Sequence, residues 1–174
     1  LAESQKSTQK GKVFNPEDLR GQIDADVELK GQDLTSLDVN LKARGKLWTK
    51  GQGEEIALTA KPFIASLSGP LQGGVGEFSF LNIPFSLLSL LAPVPSTFNG
   101  SLGLSGTYRL KEGRREISAG LSFEDARLAE SALVLEKGDF ELDDSFLRMD
   151  VQVRSASSEE PVSLIGQIPL KPSL

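Results

Sequence analysis

The residues that could carry chemistry are few. Two adjacent carboxylate pairs, Asp143-Asp144 and Glu159-Glu160, are the candidates for acid–base work, which needs two carboxyls in different environments. Both pairs fall in stretches that read as turns, and neither is set in an aromatic pocket that would raise one member's pKa. The chain has no histidine and no cysteine. That removes the commonest general base and metal ligand, together with thiolates, disulfides and Cys-based metal sites. No nucleophile elbow appears either. The sequence therefore reads as a non-enzyme with no catalytic residue, no cofactor and no metal site. Missing cysteine does not fix the compartment.

Charge narrows the partners further. Lys and Arg number 19 against 24 Asp and Glu, for a net charge of −5, and no basic stripe appears. A nucleic-acid backbone asks for clustered cations, so no nucleic-acid partner is expected. No apolar run reaches the roughly 20 residues of a membrane-spanning helix. The chain begins at Leu1 without a signal peptide and reads as a fragment of a longer protein. Residues 1–12 are polar and low in complexity and read as a trailing, disordered segment; residues 13–170 read as one domain.

What remains is the chemistry of apolar surface, and the elements that present it are strands. From Phe98 to Leu110 every even position is apolar or glycine and every odd one polar or glycine. Successive strand side chains point to opposite faces, so this is a ribbon with one greasy and one wet side. The rhythm recurs in Ile23–Leu29, Leu37–Ala43, Ile56–Ala60, Ile117–Phe123, Leu147–Val153 and Val162–Leu170. It slips phase at Pro62 and at Glu124-Asp125, as bulges or edges do. Turns are expected at Gly31–Asp33, Gly51–Gly53, Gly73-Gly74, Lys111–Arg114 and Glu136–Asp139. That makes nine or ten strands joined mostly by short, antiparallel connections. Between them, Pro84–Ala92 reads as a short helix, with Phe85, Leu87, Leu88, Leu90 and Leu91 making it apolar almost all round, ended by Pro93 and Pro95. Such a helix must be buried or embedded in lipid.

The expected fold is all-β: a long antiparallel sheet folded into a U, with the helix at 84–92 covering part of its hydrophobic groove. Ten strands at about 4.8 Å would make it about 50 Å long. The groove would be lined by Ile23, Val27, Leu29, Val39, Leu41, Ile56, Leu58, Phe78, Phe80, Leu102, Leu104, Tyr108, Leu121, Phe123, Leu133, Leu135, Phe140, Leu142, Met149, Val151, Val153, Leu164 and Ile168. Small residues on the same side, Ala25, Ala43, Ala65, Gly106 and Ala119, would leave room for flexible acyl chains, each methylene contributing about 0.8 kcal/mol. Two other readings stand beside it. One is a ligand-free β-sandwich, with two sheets burying their apolar sides against each other. The other is a protein-interaction module whose free sheet edges take up an incoming strand.

Ile83-Pro84-Phe85-Ser86-Leu87-Leu88-Ser89-Leu90-Leu91-Ala92-Pro93-Val94-Pro95, then Gly100-Ser101-Leu102 and Gly106-Thr107-Tyr108, resembles the C-terminal TamB domain, nearest its cyanobacterial and plastid branch. The ending Leu164-Ile165-Gly166-Gln167-Ile168-Pro169-Leu170 resembles the Gly-x-Ile-Pro-Leu close of that domain. The likeness spans Val13 to Leu170, with 83–108 its more specific part. It implies an AsmA-like, bridge-like envelope protein with a taco-shaped sheet, held at the inner membrane by an anchor outside this stretch. It implies a place in the periplasm or intermembrane space, phospholipid movement between membranes, and outer-membrane protein assembly beside an Omp85-type barrel. It brings no catalytic residue.

Overall fold

The computed structural model describes residues 19–33, 35–50, 55–58, 61–90, 97–111 and 113–170, with the side chains of 50, 55, 56 and 88–90 outside the description. The expected trailing segment 1–12, the turn at 51–53, Leu91 and the two prolines 93 and 95 lie outside these residues.

Ten strands follow one another: β1 (Leu19–Lys30), β2 (Asp38–Lys50), β3 (Glu55–Ala57), β4 (Phe63–Pro70), β5 (Gly74–Pro84), β6 (Phe98–Lys111), β7 (Arg114–Leu128), β8 (Ser131–Leu142), β9 (Phe146–Ser155) and β10 (Val162–Pro169). All belong to one open sheet in the order β1-β2-β4-β5-β6-β7-β8-β9-β10, with β3 paired to β2 off this path. Every pairing is antiparallel. The expectation of an all-β antiparallel sheet holds. The sandwich reading asked for two facing sheets; the described residues make one. Nine strands in line span eight spacings of about 4.8 Å, or about 38 Å, less than the 50 Å expected, because β3 adds no width and the strands span one spacing fewer than their number.

The alternation of the sequence becomes a two-faced sheet. On the wet face, register sets Asp24 opposite Arg44 and Asp26 opposite Lys42. Farther along, Arg148 reaches Glu141 and Asp143, and Lys137 reaches Asp139 and Asp150. Cross-strand pairs of opposite charge favour this register, although each exposed pair contributes little.

The phase slip at Glu124-Asp125 is a bulge, whereas the one at Pro62 falls in the connection between β3 and β4, outside any strand. Register shifts occur between Phe80 and Ile83 in β5, between Asn99 and Ser101 in β6, and between Leu135 and Lys137 in β8. Asn82, Gly100 and Asp125 take positive φ of 58°, 101° and 51°. The Asn82 amide donates to the Pro62 carbonyl at 2.8 Å, tying the β5 bulge to the start of β4. All these irregularities lie toward the same rim, the one at which β5 ends and β6 begins. A bulge bends its strand and tightens the local twist.

Two expectations are corrected. The apolar helix at 84–92 is a 3-10 helix over Phe85–Leu90, with Pro84 still in β5. Six residues without a charged cap at either end are too few for an α-helix to stand on its own hydrogen bonds. Glu136–Asp139 is no turn: β8 continues through it, bulged between Leu135 and Lys137. Gly138 instead lies against β7, where a Cβ would come 2.7 Å from Leu121 Cβ.

Candidate functional site: an uncovered apolar face

Register carries one apolar row from edge to edge. Val27 pairs with Leu41, then Leu67, Phe78, Gly106, Ala119, Phe140, Met149 and Gly166. Toward the bulged rim runs Ala25–Ala43–Ala65–Phe80–Leu104–Leu121, with Val151 and Leu164 continuing past Gly138. Toward the opposite rim run Leu29–Val39 and Tyr108–Ile117–Leu142–Leu147–Ile168. Ile23, Leu102, Phe123, Leu133, Leu135 and Val153 share this side. Leu58, just past β3, donates its backbone N–H to the Leu47 carbonyl at 3.0 Å. Ile56 stands opposite Thr49, its side chain outside the description. Register thus puts the singled-out residues of β1, β2 and β5–β10 on one face.

That face is open to solvent. Val27 and Leu29 are each 58% exposed, Leu164 59%, Ile168 48% and Phe80 39%. Leu102, Leu104, Leu121, Phe140 and Met149 are half-buried by their neighbours in the sheet. Among the described residues only Val39, Pro84, Phe85, Ala119 and Ala126 are buried apolar side chains. A closed core would bury most of the row; here the large apolar residues lie uncovered. Contiguous apolar patches beyond a few hundred Å² are rare on soluble monomers and mark places where something else sits.

Two aromatic structures bound the face. At the bulged rim Phe85 of the 3-10 helix, 2% exposed, stacks on Phe98 with centroids 4.0 Å apart. Its other side meets Phe123 edge-on at 5.2 Å. Such geometries suit the ring quadrupoles. The expected burial of this segment is therefore realised at Phe85. Leu87 is half-buried, and the side chains of Leu88 and Leu90 are not described.

Toward the other rim, Tyr108 lies over Gly76, where any Cβ would collide with its ring, and its hydroxyl donates to the Pro70 carbonyl at 3.1 Å. The phenol pKa is raised above 10.0, first by desolvation and then by the charge of Asp38. The polar tip is thus satisfied while the ring floors the apolar face.

The carboxylate pairs do other work. Asp143 Oδ1 accepts from the N–H of Ser145 at 2.7 Å and of Phe146 at 2.8 Å, closing the β8–β9 turn. These bonds, with Arg148 adding a smaller effect, hold its carboxyl below 3.8. Glu159 and Glu160 are exposed in the β9–β10 loop. No cluster of three or more Asp, Glu, His or Cys suited to a metal occurs among the described residues. No described helix is long and apolar enough to cross a membrane.

Alternation alone did not single out three features. Phe98 and Phe123 partner Phe85 because the bulges bring strand ends beneath the helix, a consequence of phase slips whose direction sequence does not encode. The packing of Gly76 under Tyr108 is likewise invisible in a pattern. Arg115 is different: it pairs with Leu110 and stays in phase with Ile117 and Ala119, so it stands on the apolar side. Extending the rhythm two residues back would have found it.

No family model, no curated protein and no solved structure matches this chain.

Proposed function

We propose that the apolar face is a binding surface for acyl chains, and that the sheet curls around them as a groove in a lipid-transfer protein of the cell envelope. The observation that carries this reading is the uncovered apolar row running across nine strands, from Val27 to Gly166. Burying it against hydrocarbon contributes about 25 cal/mol per Å². The small residues Gly106 and Ala119 sit mid-row between Phe78 and Phe140 and lower the floor where a flexible chain would lie. The surface offers no acid–base pair and no metal cluster among the described residues, so the reading is of carriage, not catalysis. The likeness of 83–108 to the TamB C-terminal domain supports placing the carriage between inner and outer membranes, in the periplasm or its plastid equivalent. An inner-membrane anchor and an Omp85-type partner are part of the same proposal.

The test is site-specific photocrosslinking in protein purified from membranes. Crosslinkers at Leu104 and Val153, on the apolar face, should capture lipid; those at Ser105 and Gln152, one residue along, should not. Equal capture on both faces would overturn the proposal.

A second reading rests on β10. It is the last strand of the sheet, carries no charged residue, and exposes Val162, Leu164 and Ile165. Edges of this kind accept an added strand. The strand of an outer-membrane barrel client is the occupant this reading proposes. Crosslinks from Ser163 to such a client, with no lipid captured at Leu104, would favour it over the first.

A further inference from the structure

The strand-paired apolar face carries one charged side chain among the described residues. Arg115 lies opposite Leu110 on β6, two residues from Ile117 along β7. Its side chain is exposed and forms no ion pair among the described residues. Asp144 accepts a hydrogen bond from its backbone N–H at 3.2 Å, and the guanidinium has no hydrogen-bond partner among the described residues. Arg115 shares a cavity at this rim with Leu71, Leu110, Lys111 and Arg114. The turn Lys111-Glu112-Gly113-Arg114-Arg115 holds three cations and one carboxylate in a chain whose net charge is −5.

Going from Arg115 along β7, the side chains on this face are Ile117, Ala119, Leu121 and Phe123, the last closed over by Phe85. The run reads cation, aliphatic, small, aliphatic, aromatic stop. Eight residue-to-residue steps of about 3.3 Å make it roughly 26 Å long.

We propose that Arg115 anchors the anionic head of an amphiphile whose tail lies along β6 and β7 toward the Phe85 cluster. The inference rests on the acyl-binding reading and adds to it the head chemistry and the polarity. The ligand class is an anionic lipid, its phosphate or carboxylate held at the β6–β7 rim. Guanidinium matches such oxyanions with paired N–H donors, which an ammonium cannot reproduce. Lys111 and Arg114, opposite each other at the same tip, add to the local field, while Glu116, Asp143 and Asp144, which line the neighbouring cavity with Arg115, oppose it.

The experiment measures binding of three probes to the 174-residue chain by equilibrium dialysis. They are dodecyl phosphate, dodecanol and inorganic phosphate. The alkyl phosphate should bind about tenfold more tightly than the alcohol, as a charge-assisted contact provides. Arg115→Gln should bring the alkyl phosphate down to the alcohol and leave the alcohol unchanged; Arg115→Lys should keep an intermediate preference. The preference should also shrink as salt rises. Equal binding of both alkyl probes to the wild-type chain, or an unaltered preference in Arg115→Gln, overturns the anchor while leaving the acyl-binding surface standing. Inorganic phosphate binding as tightly as dodecyl phosphate overturns it too, because the site would then read a free anion. Failure of both alkyl probes on the wild-type chain sinks the acyl-binding reading itself, and the anchor with it.

Discussion

Two truncations on the same face should have very different costs. Phe85 is 2% exposed and wedged between two rings, whereas Leu164 is 59% exposed near the sheet's edge. An aromatic residue buries roughly 150–250 Å², which at about 25 cal/mol per Å² makes about 4–6 kcal/mol as an upper bound. Core Phe→Ala substitutions run about 3–5 kcal/mol, so about 4 kcal/mol is expected for Phe85→Ala. Full burial of a leucine is worth about 1.5–3 kcal/mol, and Leu164 realises less than half of its burial. Leu164→Ala should therefore cost about 1 kcal/mol or less. Urea titration followed by far-ultraviolet circular dichroism measures both, with the slope checked for constancy. Since single domains hold about 5–15 kcal/mol in all, the first variant should lose a large share of its stability and the second should look nearly native. A loss above about 3 kcal/mol for Leu164→Ala would mean that the face is packed against protein, and the reasoning from its exposure would fail.

The phenol of Tyr108, the chain's one tyrosine, should titrate above 10.0 in an ultraviolet-absorbance titration. Its folded pKa is raised, so the neutral phenol favours the fold below pH 10; that contribution should fade as pH climbs from 10 through the folded value. An unshifted midpoint would show the ring standing free of the sheet. Tyr108→Phe should cost about 1 kcal/mol for the lost bond to Pro70, read from the urea midpoint. Gly106→Ala should cost about 2 kcal/mol or more, measured as a fall in melting temperature. A methyl there runs into the Ser118 carbonyl and comes 2.7 Å from Ala119 Cα, both backbone atoms of β7 that cannot step aside. A neutral outcome would mean that β6 and β7 are farther apart than the structure places them.

The sheet was legible because its signal is arithmetical. A period of two survives any tertiary arrangement, so Leu102-Gly103-Leu104-Ser105-Gly106 announces both strand and face. Punctuation was less dependable. Gly138 reads as a turn residue beside Asp139, yet it serves β8 as the bare backbone on which Leu121 rests. Glycine marks both close approach and reversal, and spacing does not separate them. The 84–92 run reads as a short apolar helix because its apolar residues have no alternation. Its structured part is instead held by one buried ring, Phe85, whose partners lie 13 and 38 positions away in β6 and β7. Contacts of that span follow from bulge geometry at Asn82, Gly100 and Asp125, which local pattern marks only as a lapse in phase.

Strand order in the sheet equals order along the chain, with β3 the lone side branch. Each strand therefore leans only on its immediate predecessor and successor, as modules do in a linear array. Cooperativity in such an array decays with distance, so the two outermost strands can fray while β5 to β8 stay annealed. The same topology permits growth by accretion: another hairpin laid beside β1 or β10 would extend the surface without rethreading any loop.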